Sequence, residues 1–156
     1  MVAVIKEEIE DIRFIGGIFV EIEQQYKEAD FSNQLDAFLP VLESTHQKHF
    51  SAQASPSGNA WPALAASTSD RKGHSRILFE SGRLEKSLTS GGGDAVREIG
   101  EGGRGLLFGT SVDYSVFHNE GQGQKKREHV GLVDKTLDSL VDNIADHTVN
   151  EMKART

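Results

Sequence analysis

From residue 31 to residue 50, apolar positions recur at the three-and-four spacing of a helix. One stripe contains Leu35, Phe38, Leu39, Leu42, His46 and Phe50. Pro40 has no backbone N–H and should break a continuous helix, but it fits the first turn of a new one. The pattern therefore predicts a central helix at 31–50, made of two segments joined near Leu39 and Pro40.

A second amphipathic pattern, at 134–152, predicts a C-terminal helix with Asp134 as its candidate N-cap. The predicted buried stripe comprises Leu137, Leu140, Val141, Ile144 and Met152. Another face carries an acidic row, defined as Asp134, Asp138, Asp142 and Asp146. Like charges four residues apart destabilise a helix by about 0.2–0.5 kcal/mol per pair. The row is either a solvated face or a surface kept acidic by a basic neighbour or by the need to repel DNA.

Between the two helices, short apolar runs alternate with glycine turns. A run at 77–79 meets Ser81 and Gly82, where glycine adopts a positive φ without steric cost. From Leu84 the pattern has period 2, so 84–89 predicts a strand, followed by strands at 95–99 and 106–111. The predicted fold class is α+β. A small antiparallel three-stranded meander, at about 84–111, packs against the central helix 31–50 and the C-terminal helix 134–152, with long loops.

The remaining stretches predict connections and an extension. Residues 51–76, rich in Ser, Ala, Gly and Pro, predict an extended loop that Trp61 anchors. Residues 114–118 predict a helical turn and 121–126 a polar loop. Residues 1–30 predict a helix to about residue 14, and the part after Gly17 stays open between helix and strand. The length of 156 residues predicts a single domain, with 1–30 as an N-terminal extension and 31–156 as the core.

The charge is unevenly distributed along the chain. The net charge is −7, and the mean hydropathy of −0.43 is typical of a water-soluble protein with a modest core. Residues 1–50 and 128–156 are acidic, whereas 71–127 carry ten basic against seven acidic residues. Such alternation suits head-to-tail contacts between copies of one chain. The absence of cysteine excludes disulfides and fits an intracellular assembly environment. No apolar run is long enough to span a bilayer, and no secretory signal is evident, so no membrane partner is expected.

Candidate catalytic and ligand-binding motifs do not assemble into a site. The glycine-rich stretch 100–105 is expected to be a hairpin turn, because a nucleotide fingerprint needs a helix after it and a strand follows here. His46 and His49 could share a metal, but nothing completes the ligand set. His118 has no nucleophile at the right kind of turn, so we expect a structural role, hydrogen-bonded near the turn at Gly121. The sequence therefore predicts no enzyme, no cofactor and no metal site.

Three segments resemble one family, the tail-completion or virion-morphogenesis proteins of Mu-like tailed bacteriophages. Residues 56–61 match the family's P-x-G-x-x-W turn and contain Trp61. Residues 77–88 match its I-L-x-x-[ST]-G-x-L-x-x-S-[IL] core, which contains Gly82 and Leu84. Residues 114–121 match its Y-x-x-x-H-x-x-G segment with Tyr114, His118 and Gly121. The segment before the last helix keeps the family's arginine, at Arg127, but lacks the proline and aromatic residue that follow it in the family.

The resemblance implies a structural virion protein of the phage neck. Its subunits would form a ring around the DNA channel, expected to be hexameric, that completes the tail or joins tail to head. The implied partners are other copies of the chain and neighbouring neck and tail proteins, such as a connector or adaptor, a tail tube or a terminator. DNA would pass through the channel without sequence-specific binding; the basic cluster Lys125, Lys126 and Arg127 could clamp phosphates or dock a neighbour's acidic row. The alternative is a DNA-binding or assembly-chaperone protein that acts in morphogenesis without remaining as a ring.

Overall fold

The computed structural model describes residues 29–154, apart from the side chains of residues 151 and 152. Its helices are α1 (Ser32–Ala52), α2 (Ala66–Lys72), α3 (Arg83–Thr89), α4 (Ser115–Glu120) and α5 (Asp134–Ala154). Its strands are β1 (Ala95–Ile99) and β2 (Leu106–Thr110), joined through the single 3-10 turn Glu101–Gly103. The predicted mixture of helix and sheet is confirmed. The helix expected before residue 14 lies outside the described residues.

The predicted three-stranded meander is wrong in its first strand, because Leu84–Thr89 belongs to helix α3. The sheet has two antiparallel strands, with Ala95 opposite Thr110 and Ile99 opposite Leu106. Leu84, Ser87 and Leu88 are all buried, and their three-and-four spacing forms one helical face. Because Leu84 and Leu88 are four apart, they satisfy period 2 as well as the helical period. The spacing of apolar residues in so short a stretch cannot distinguish a strand from a helix.

The predicted break at Pro40 is also wrong, since α1 continues through it as one helix of 21 residues. Proline inside a helix costs about 3 kcal/mol, because it removes one hydrogen bond and crowds the preceding turn. Both Pro40 and Asp36, whose carbonyl loses its usual donor, lie on the exposed side of α1. Water can therefore satisfy that carbonyl. The buried stripe, which runs on both sides of Pro40 from Leu35 to Phe50, holds the helix together.

The main core cluster lies at the C-terminal end of α1. It consists of Phe50, Trp61, Leu84, Leu88 and Val112, with Ile77, Leu78, Phe108 and Val130 packed against it. The Trp61 ring meets the Phe50 ring edge-on, with centroids 5.5 Å apart. The region 51–76 is less extended than predicted. Its first two residues belong to α1 and it contains α2, which buries no side chain and so gives no hydrophobic period to detect.

Helix α5 runs back along α1 in the opposite direction. His129, shortly before α5, packs near Phe50 with ring centroids 6.3 Å apart, and His147 meets Phe31 at the start of α1, at 5.9 Å. A helix of 21 residues is about 30 Å long. The cluster around Phe50 and the second half of α5 therefore lie near opposite ends of α1.

The prediction of a buried stripe on α5 is wrong for two of its members. Leu140 and Ile144 are half-buried, but Leu137 is 44% and Val141 63% exposed; the Met152 side chain lies outside the described residues. The cap also differs. The Val133 carbonyl accepts the Thr136 and Leu137 N–H groups, so Asp134 stands inside the first turn rather than at the cap. No helix among residues 29–154 is long and apolar enough to cross a membrane.

Candidate functional site

A cavity of about 740 Å³ opens between α2, the turn before α3, α4 and the segment that follows α4. We call it the cation-lined cavity, after five of its side chains: Arg71, Lys72, Arg83, Lys125 and Arg127. Glu80 contributes a carboxylate to the lining. Apolar parts of the wall come from Leu64, Leu78, Phe79 and Tyr114. The cavity is thus both basic and partly apolar.

Two of these cations are neutralised within the subunit. Arg71 donates to the Glu80 carboxylate at 2.8 Å. Arg83 makes two bonds to Asp94, at 2.7 and 2.5 Å, and this contact raises the pKa of Arg83 and lowers that of Asp94. Such planar paired geometry is the strong form of this ion pair. The uncompensated charge of the cavity must therefore come from its other members.

Lys72, Lys125 and Arg127 form no ion pair with any residue from 29 to 154. The Lys72 ammonium donates only to the Arg76 carbonyl, at 3.2 Å, and partial burial lowers its pKa. Lys125 is exposed. The basic cluster predicted at 125–127 is therefore divided. Lys125 lines the cavity, whereas the Lys126 ammonium forms an ion pair with the Glu128 carboxylate of the same chain, at 3.5 Å.

Arg127 is the buried cation of the cavity, only 8% exposed. Its Nε donates to the Pro62 carbonyl at 3.0 Å and its Nη2 to the Ala63 carbonyl at 3.4 Å. Burial lowers its pKa. A guanidinium has five N–H donors, so these bonds leave donors free for an incoming acceptor. A carboxylate arriving in the cavity would compensate a charge that has only carbonyl partners among the described residues.

The segment that positions Arg127 is fastened by Trp61 and by a buried histidine. The Trp61 indole N–H donates to the Glu128 carbonyl at 2.7 Å, which joins the 61–63 loop to this segment. His129 is fully buried, and its Nδ1 lies 2.8 Å from the Arg127 carbonyl. A carbonyl only accepts, so Nδ1 carries the proton and Nε2 accepts from the Ser115 hydroxyl at 2.8 Å. Burial lowers the His129 pKa to about 4, so this histidine is neutral near pH 7.

His118 differs from its predicted role. Its backbone carbonyl accepts the Arg127 N–H at 2.7 Å, but its buried Nδ1 has no hydrogen-bond partner among the described residues. Its side chain lines the cavity, and burial lowers its pKa. The hydrogen-bonded histidine of this region is His129. Its role could not be predicted from the sequence, because residues 127–130 show no periodic pattern.

The other residues singled out from the sequence lie around the same region. Tyr114 lines the cavity and is 39% exposed, and Gly121 ends α4. Leu84, the second residue of α3, is buried in the main core cluster. Gly82 precedes α3 with φ of +78°, which is the conformation that the predicted turn requires. The three segments that carry the family motifs therefore lie on one side of the molecule.

The acidic row of α5 lies on the surface. Asp134, Asp138, Asp142 and Asp146 are exposed and make no ion pair within residues 29–154. Val149 lies within this row, whereas Leu137 and Val141 form an adjoining apolar edge beside Asp134 and Asp138; Leu137, Val141 and Val149 are 44%, 63% and 46% exposed. We define the α5 outer face as Leu137, Asp138, Val141, Asp142 and Val149. It combines negative charge with apolar surface.

Elsewhere, the described residues hold no group of three or more His, Asp or Glu side chains placed to bind a metal ion. His46 is buried against Phe108, with Nδ1 2.8 Å from the Leu42 carbonyl, so it packs in the core. The glycine-rich stretch 100–105 links β1 to β2, which confirms the predicted hairpin turn.

The fold and these two surfaces define a small α+β protein with a cation-lined cavity and an exposed acidic helix face. The chain belongs to the phage virion morphogenesis family, whose model matches residues 18–148. The family predicted from the three sequence segments is thereby confirmed, and with it a role in phage morphogenesis. Comparisons with curated proteins and with solved structures found no match.

Proposed function

We propose that the chain is a structural subunit of the phage neck, assembling into a ring that completes the tail or joins it to the head. It would act in the virion without catalysis, contacting other copies of itself and neighbouring neck or tail proteins. Family membership supports a role in morphogenesis. The observation that carries the ring is the α5 outer face, where a 21-residue helix leaves apolar side chains in water.

The size of this face argues for assembly rather than for a tight dimer. Full burial of a Val or Leu side chain stabilises by about 1.5–3 kcal/mol, and Leu137, Val141 and Val149 are only about half exposed. One such contact therefore contributes about 2–4 kcal/mol, against an association cost of at least about 4 kcal/mol. A closed ring gives each subunit two such contacts, so assembly should be cooperative and concentration-dependent.

The acidic row could instead face the DNA channel, where it would repel phosphates over about 10 Å at 0.1 M salt. The apolar members of the α5 outer face argue against this placement. In a water-filled channel, Val149, which lies within the row, and the adjoining Val141 would stay exposed and gain nothing on assembly. A protein contact accounts for both the charge and the apolar surface.

A second candidate is a DNA-binding or assembly-chaperone protein, which the cation-lined cavity favours. The net charge of −7 opposes it, because proteins that bind DNA without sequence readout are usually basic. The cavity also places the apolar surfaces of Leu78, Phe79 and Tyr114 beside its cations. A phosphate group makes no favourable contact with such apolar surfaces. Fluorescence anisotropy with labelled duplex DNA at 50 mM salt distinguishes the two, and the ring proposal expects no binding at micromolar protein.

The ring proposal is tested by sedimentation velocity of the purified full chain across protein concentration and salt. We expect large species that grow with concentration and weaken as salt rises, and labelled protein at the neck in images of assembled particles. The Asp138→Asn, Asp142→Asn variant should associate less at low salt. A monomer under all conditions, together with particles that lack the label, would overturn the proposal.

A further inference from the structure

We propose that the α5 outer face of one copy docks into the cation-lined cavity of the next copy, head to tail. This inference rests on the ring proposed above and names its contact. The cavity would accept a few side chains from the middle of the face: Asp138, with Val141 on one side of it and Asp142 on the other. A cavity of about 740 Å³ has the size of a small-ligand pocket, so it holds several side chains rather than a whole helix.

Charge complementarity is the first argument. Lys72, Lys125 and Arg127 are the cavity cations without an ion pair in the part of the chain that the structure describes. Asp138 and Asp142 are exposed and equally without one. A carboxylate reaching the cavity would supply the acceptor that the buried Arg127 guanidinium lacks, and buried charges are retained only where they are compensated.

Apolar complementarity is the second argument. The cavity presents Leu64, Leu78 and Phe79 beside its cations, and the face presents Leu137 and Val141 beside its carboxylates. Exposed apolar patches rimmed by charge are typical of protein-protein contacts. Each surface therefore matches the other in charge and in apolar character, whereas a phosphate ligand would match only the charge of the cavity.

The positions of the two surfaces make the contact intermolecular. The cavity adjoins the Phe50 end of α1, because Arg127 binds the Pro62 carbonyl beside Trp61, which packs on Phe50. Asp138, Val141 and Asp142 are exposed in the subunit and so do not enter its own cavity, which means that only another copy can supply the contact. Two different surfaces of one chain that pair between copies form a heterologous contact. Such contacts produce rings when the rotation closes.

A charge-swap experiment tests this pairing. The cavity variant carries Lys72→Glu and Lys125→Glu, and the face variant carries Asp138→Lys and Asp142→Lys. Each alone opposes like charges, so its self-association in sedimentation velocity should weaken by at least about tenfold. Mixed in equal amounts, the two variants should associate again, because every contact in an alternating assembly then pairs opposite charges. One chain carrying all four substitutions should also recover self-association.

The matched control reverses the exposed charges of α1 outside both surfaces, with Asp36→Lys and Lys48→Glu, and should associate like the unmodified chain. Thermal unfolding of every variant checks folding. Rescue by mixing supports the docking contact. If the cavity variant associates normally, or if mixing rescues nothing while all variants are folded, the docking is wrong and the ring must use other surfaces. A chain that never associates in its unmodified form refutes the ring itself, so the two failures are distinguishable.

Discussion

Protonation of His129 should destabilise the fold over a defined pH range. The unfolded histidine titrates near 6.5, while burial holds the folded pKa at about 4. Above pH 6.5 neither state is protonated and the free energy of unfolding is unaffected by this group. As the pH falls from 6.5 towards 4, the unfolded chain takes up a proton that the folded chain refuses, and stability is lost. Below about pH 4 both states are protonated and no more is lost.

The magnitude follows from the difference between the two pKa values. One pH unit corresponds to about 1.4 kcal/mol, so the full loss attributable to His129 is roughly 3 kcal/mol. His46 and His118 also have pKa values lowered by burial and act in the same direction. A comparison of variants is therefore needed to isolate His129.

The assay is urea unfolding of the full chain and of His129→Asn at several pH values between 7 and 4. Asparagine keeps a donor for the Arg127 carbonyl, but it loses the bond with Ser115 at an expected cost of about 1–3 kcal/mol at pH 7. Its stability should then fall less with acidification, by up to roughly 3 kcal/mol. Equal pH dependence in the two proteins would contradict a neutral, buried His129.

Two further perturbations test the fold around the cavity and α1. Trp61→Phe removes the indole donor to the Glu128 carbonyl and should lower the free energy of unfolding by about 1–3 kcal/mol in urea titration; wild-type stability would show that this bond is unimportant. Gly103→Ala should cost about 2–5 kcal/mol, because its φ is +65° and an added Cβ would overlap the backbone of Phe31 and Ser32. Gly102→Ala is the matched control, with φ of +62° but only the Arg104 side chain nearby, and should cost about 1–2 kcal/mol. Equal losses would refute the close approach.

The sequence predicts elements well where a long stretch shows one period. The stripe from Leu35 to Phe50 defines α1 because 21 residues give several helical turns. Periodicity fails over the seven residues of α3. Leu84 and Leu88 fit the period of a strand as well as that of a helix, and only their packing in the main core cluster favours the helix. Pro40 misleads for a related reason, since local propensity opposes the helix while the burial on both sides of it decides the outcome.

The candidate site was only partly predictable. The segments containing Trp61, Tyr114, His118 and Arg127 were recognisable from their motifs, but nothing in their spacing shows that they enclose one cavity. That proximity depends on long-range bonds, such as the one from Trp61 to Glu128 and the one from Arg127 to Pro62. The exposure of Val141 could not be predicted either. An amphipathic pattern indicates that an apolar face is covered, but it does not show whether the same chain or another molecule covers it.

The most direct test of the account is a cysteine cross-link between the two surfaces, which is unambiguous because the chain contains no cysteine. The double variant Leu64→Cys, Val141→Cys places one thiol in the cavity lining and one on the α5 outer face. Under mild oxidation, head-to-tail docking predicts a ladder of linked oligomers from the double variant. It predicts only dimers from an equal mixture of the two single variants, and little product from either single variant alone. Efficient dimers from Val141→Cys alone, or no link between Leu64→Cys and Val141→Cys, would contradict it.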